Sequence, residues 1–152
     1  MNELKKIDEG VYVSAQIMEA TLDVAKTHGV TLIICNRPDG EDVGQPTADE
    51  VKGWAEARGM NFKHIPVTGQ HLDLKEISEF GILLSEVKGG ALAYCRSGMR
   101  SCSLWALAHV ALDDLTNDEI LSVAKNAGYD LRPMTIGLES VRKAARASIA
   151  GR

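Results

Sequence analysis

Cysteine is scarce in this 152-residue chain, which holds only Cys35, Cys95 and Cys102. An odd number without any Cys-x-x-Cys spacing suits neither a disulfide framework nor a structural zinc site. His64 and His71 follow no zinc-ligand pattern, so no metal and no cofactor is expected. Long apolar runs are lacking too. None approaches membrane-spanning length, and Met1-Asn2-Glu3-Leu4-Lys5-Lys6 has no apolar stretch behind it, which argues against a signal peptide. The expectation is a cytoplasmic protein with no membrane partner. Excess positive charge is also absent, and a net charge of −4 argues against nucleic acid as a partner. What is present is 45% hydrophobic residues in a length that suits one domain, 1–152, with a real core.

Strand and helix patterns alternate along the chain. Val11-Tyr12-Val13 reads as a short strand and Gln16 to Thr27 as a helix stopped by Gly29. Val30 to Cys35 is an apolar, β-branched strand of the kind buried on both faces. Thr47-Ala48-Asp49-Glu50 has capping-box spacing for a helix through about Arg58, and Phe62 to Val67 reads as the next strand. Leu74 to Val87 is amphipathic; Gly89-Gly90 then leads into a strand ending at Cys95. Beyond it the chain is all helix: about Ser101 to Leu112, a second capping box at Thr116-Asn117-Asp118-Glu119 flanked by a Leu115/Ile120 staple, and a last helix from about Pro133 to Ala150. Parallel strands joined by helices predict an α/β fold, a parallel-rich central sheet flanked by helices, with ligands at the strands' carboxyl ends.

Cys95-Arg96-Ser97-Gly98-Met99-Arg100-Ser101 lies at such an end. A strand stopping at Cys95 and a helix starting soon after turn successive N–H groups into one concavity, backed by the helix dipole. That field, with Arg96 and Arg100 nearby, favours thiolate over thiol. Arg100 offers a planar fork matched to two oxygens of a tetrahedral anion. The expected site therefore has Cys95 as nucleophile, Arg100 as clamp, and Arg96, Ser97, Gly98 and Met99 as the anion-binding loop. Ser101 is placed to donate to the sulfur or the departing group. Asn36-Arg37-Pro38-Asp39-Gly40-Glu41-Asp42 follows a buried parallel strand and should open on the same face, where Arg37 could reach the anion and Asp39 or Glu41 supply a proton. His71 and Asp73 are further possible acids. Cys35 is a possible redox partner if its strand neighbours that of Cys95; the alternative is that Cys35 and Cys102 are small core residues.

Together these segments, with Val11-Tyr12-Val13-Ser14-Ala15-Gln16-Ile17, Gln45-Pro46 and His64-Ile65-Pro66-Val67, resemble the bacterial beta-lactamase-hydrolase-like family of phosphatase-like domains over roughly Lys6 to Leu112. The resemblance implies a dual-specificity cysteine phosphatase-like architecture, in which the thiolate attacks phosphorus, forms a phosphocysteine and is freed by water. Family members also occur beside or fused to sulfur-metabolism enzymes, and some are described as sulfurtransferases.

Two departures bear on chemistry. Four residues separate Cys95 from Arg100 where cysteine phosphatases have five, a spacing that resembles the Cys-Arg-Ser-Gly loop of small rhodaneses. After Ile65-Pro66-Val67 the chain has Thr68 and Gly69 where dual-specificity phosphatases carry an acidic residue to protonate the leaving oxygen. The expected activity is a cysteine-dependent hydrolase of a small-molecule or protein-borne phosphate ester. The alternatives are a rhodanese-like sulfurtransferase carrying a persulfide on Cys95, and a non-catalytic phospho-binding module.

Overall fold

A computed structural model describes residues 4–68 and 72–150. In chain order its elements are β1 (Lys5–Asp8), β2 (Val11–Ser14), α1 (Glu19–Thr27), β3 (Val30–Cys35), α2 (Ala48–Ala57), β4 (Asn61–His64), α3 (Leu74–Glu86), β5 (Gly90–Tyr94), α4 (Met99–Leu112), α5 (Asn117–Asn126) and α6 (Thr135–Ala150). A 3-10 turn over Arg132–Met134 leads into α6. The strands form one sheet in the order β1-β2-β5-β3-β4, parallel except for β1, which pairs antiparallel with β2. The expected α/β layering is what the chain adopts.

The pleat of the central strands sorts the core into two layers. Leu32 and Ile34 of β3 and Ala91 and Ala93 of β5 face α3, α4, α5 and α6. Ile33, Cys35, Leu92 and Tyr94 face α1 and α2. Ala91 and Ala93 are small, which leaves room for Leu104 and Trp105 of α4 in the same layer. Residues 101–108 of α4 are all buried, so this helix is enclosed on every side, as a helix apolar all round must be.

Both capping boxes form. Thr47 Oγ1 accepts from Glu50 N–H at 3.1 Å and Thr116 Oγ1 from Glu119 N–H at 3.1 Å, with each glutamate accepting the threonine's own N–H in return. Elsewhere the boundaries moved for local reasons. β1 was not expected, since Lys5-Lys6-Ile7-Asp8 buries only Ile7 and carries too short a pattern to read. α1 starts at Glu19 instead of Gln16, because Gln16 N–H is drawn to Arg96 O and Thr21 Oγ1 takes Met18 N–H. β4 ends at His64; Ile65 and Val67 still bond to Cys35 O and Asn36 O, but Pro66 between them has no N–H to continue the ladder. α4 begins at Met99, two residues early, which places Arg100 and Ser101 in its first turn. Among the described residues, no helix is long and apolar enough to cross a membrane.

Candidate active site

β5 is buried along its whole length and delivers Cys95 to the carboxyl edge of the sheet with no exposed surface. The chain then turns through Arg96 and Ser97 to Gly98, whose φ of +95° is left-handed and open to glycine. There Gly98 N–H donates to Cys95 Sγ at 3.1 Å. Ser97 Oγ accepts from Met99 N–H at 3.2 Å, closing the loop onto the helix start. Arg96, Ser97 and Met99 are exposed, and Arg96 Nε lies 3.2 Å from Asp42 Oδ2.

Arg100 is the expected clamp, and the structure gives it a carboxylate. Its Nη1 and Nη2 donate to Glu41 Oε2 and Oε1 at 2.9 and 2.8 Å, and Nη1 also donates to Val67 O at 2.8 Å. The pKa of Arg100 is raised, first by the hydrogen bond to Glu41 and then by the neighbouring Cys95 sulfur. Arg100 therefore stands between Glu41 and Cys95. Hydrogen bonds from Arg100 and Arg37 hold the Glu41 carboxyl below its ordinary range, so at neutral pH it is an anion with no proton to give. Glu41 belongs to the site, though not in the acid role proposed for it from sequence.

Arg37 requires a further correction. It does not reach outward to an anion; it is 3% exposed, and its three nitrogens donate to Glu41 Oε1, Gln16 Oε1 and Asp42 Oδ2 at 3.0, 2.9 and 2.7 Å. A buried guanidinium needs such partners to offset its lost hydration. Arg37 thus holds the two carboxylates that in turn hold Arg100 and Arg96.

Ser101 is likewise diverted from the sulfur. It is fully buried in the first turn of α4, and its Oγ donates to Asn36 Oδ1 at 2.8 Å, while Asn36 Nδ2 donates to Ile65 O at 3.0 Å. The pair ties α4 to the ends of β3 and β4. Asp39 Oδ1 accepts Ala48 N–H at 2.8 Å at the start of α2, which occupies one carboxylate oxygen in a structural role. Asp73 precedes α3 without a side-chain bond to the helix. His71 lies outside the described residues.

Cys35 is in register with Tyr94, on the α1/α2 face of the sheet, and its thiol donates to Arg37 O at 3.3 Å. Cys95 follows Tyr94 on the neighbouring strand, and Cys95 is among the groups that act electrostatically on the Cys35 thiol. Burial pushes the Cys35 thiol up and Cys102 up to about 12, the latter also through the nearby Cys95 charge. Both suit the reading of small core residues.

Four contributors had no individual role assigned from sequence: Gln16, Asn36, Asp42 and Tyr129, whose Oη donates to Ser97 O at 3.3 Å from behind the loop. Asn36, a polar residue directly after a buried strand, carried a readable signal. Tyr129 carried none.

The model of the beta-lactamase hydrolase-like protein, phosphatase-like domain family matches residues 3–112. The chain belongs to this family. A beta-lactamase hydrolase-like protein of Agrobacterium fabrum is 32% identical over 134 residues, 88% of this phosphatase-like chain but 31% of that protein. The chain thus spans about a third of the length of that curated relative. A candidate phosphatase of Neisseria meningitidis superposes with a TM-score of 0.82 at 35% identity, covering 90% of this chain and 96% of the other. The kinase associated phosphatase superposes with a TM-score of 0.72 at 15% identity over 100% and 97% of the two chains, which shows a shared fold. The architecture is that of the protein tyrosine and dual-specificity phosphatases.

Proposed function

We propose that this phosphatase-like domain is a cysteine-dependent hydrolase of phosphate esters. One observation carries the reading: Cys95 Sγ lies at the floor of the loop, with the Gly98 N–H directed at it and Arg100 beside it. In this reading the Cys95 thiolate attacks phosphorus, an S–P bond forms as the ester P–O bond breaks, and the leaving oxygen takes a proton from an acid. Water then attacks the phosphocysteine, releasing inorganic phosphate and the thiolate. Arg100 and the loop amides carry the charge of the transferring group.

The shortened loop supports a second reading, in which Cys95 accepts a sulfane sulfur from thiosulfate or a persulfide. Sulfite or a thiolate then leaves without an acid. Two measurements on one preparation separate the readings. Hydrolysis predicts inorganic phosphate released from an aryl phosphate by the native chain and none by Cys95→Ser, with anion binding retained. Sulfur transfer predicts no phosphate, and a mass gain of one sulfur on Cys95 after exposure to thiosulfate. Anion binding with neither product would sink both and leave a phospho-binding module.

A further inference from the structure

The Ser97–Gly98 peptide is gripped at both ends. Its N–H donates to Cys95 Sγ at 3.1 Å, and its C=O accepts from Tyr129 Oη at 3.3 Å. In a trans peptide the two groups point in opposite directions, so whatever holds the carbonyl also aims the N–H. Glycine at φ +95° tolerates more than one orientation of the peptide before it, which makes an external hold necessary. Tyr129 is close enough that a Cβ on Gly98 would lie 2.0 Å from its hydroxyl, and its side chain is buried after α5. Burial pushes its phenol up to about 12, so it remains a hydroxyl donor throughout the neutral range.

We propose that Tyr129 is a positioning residue of the nucleophile loop: by holding the Ser97 carbonyl from behind, it keeps the Gly98 N–H on the Cys95 sulfur and so favours the thiolate. Tyr129 lies beyond the 3–112 span matched by the family model, so this brace comes from a part of the chain the family description does not cover. The charged and titratable groups around the loop are Arg96 with its partner Asp42, Arg100 on α4 with its partner Glu41, Cys35 at the end of β3, Cys102 one turn into α4, and Tyr129 itself. Of these, Tyr129 alone contacts the peptide that carries the N–H. The inference rests on Cys95 being the nucleophile and is indifferent to whether phosphorus or sulfur is attacked.

The test is an ultraviolet thiolate titration of the full chain, read as the difference between each protein and its Cys95→Ser counterpart. Tyr129→Phe keeps the ring and removes the hydroxyl. Its Cys95 curve should move to higher pH, with about three- to tenfold less thiolate at a pH below the midpoint, the scale of one hydrogen bond to an ionised group. Coincident curves for a folded Tyr129→Phe overturn the proposal. Amide NMR of the native chain adds a reading that needs no Tyr129 variant: the Gly98 N–H resonance should follow the Cys95 titration, and an unmoved resonance overturns it equally. Neither measurement involves turnover. Loss of the Tyr129 effect would leave hydrolysis standing, and absence of phosphatase activity would leave the shifted curve standing.

Discussion

Glu41 and Arg100 meet through two hydrogen bonds, and the direction of the Glu41 pKa shift decides what that contact is for. A depressed carboxyl pKa means its contribution is complete above the unfolded value of about 4.3 and is lost as pH falls through the folded one. The stability gap between native chain and Glu41→Gln should therefore stay constant from about pH 5 upward and close below about pH 4, measured by urea unfolding across pH. Glutamine keeps one acceptor and loses the charge, so Arg100 should be less well held, and kcat/KM for an aryl phosphate should fall about tenfold. That loss should be equal for good and poor leaving groups. Asp73→Asn is expected to behave differently if Asp73 is the acid: little change for an aryl phosphate with a good leaving group, and about a hundredfold loss or more for an alkyl phosphate. Equal losses for both substrates would exclude Asp73.

The loop between β5 and α4 works as one element, with a glycine at its tightest point. Gly98→Ala would put a methyl group into the left-handed region and against the Tyr129 hydroxyl. The expected cost is about 1–3 kcal/mol of stability, read from the denaturant midpoint, together with loss of phosphate release. How far each element could be read from sequence depended on whether its determinants were local. Val30–Cys35 and the Thr47 and Thr116 caps involve residues within a few positions of one another, and they form as expected. The start of α4 did not, because Gly98 caps it through its backbone conformation alone and leaves no side-chain signal. Arg37 looked outward from its charge and its polar neighbours; the partners that turn it inward include Gln16, 21 residues away in the chain. Tyr129 reaches the loop across 32 residues and could only be found in three dimensions.

At the scale of the molecule, the C-terminal helix is attached by more than its apolar face. Arg142 is 7% exposed, and it bonds Asp113, Leu115 O and Asn117 Oδ1 at the junction of α4 and α5, while Arg146 also bonds Asp113. These two cations fasten α6 to the end of α4, the helix that begins at the loop after Cys95. Arg142→Ala leaves Asp113 to Arg146 alone and removes the donor to Leu115 O and Asn117 Oδ1, and should lower the denaturant midpoint within a single unfolding transition, followed by circular dichroism in urea. A separate early loss of helix signal would mean that α6 is not integral to the fold.

The buried position of Arg37 has a consequence for how the site meets its substrate. Arg37, Arg96 and Arg100 bring three positive charges, and Glu41 and Asp42 bring two negative ones. The two carboxylates cancel two of those three charges before any ligand arrives. An approaching oxyanion then finds little net charge to draw it from a distance, so its capture depends mainly on short, directional bonds and changes little with ionic strength. Selectivity is left to shape and hydrogen-bond geometry at close range.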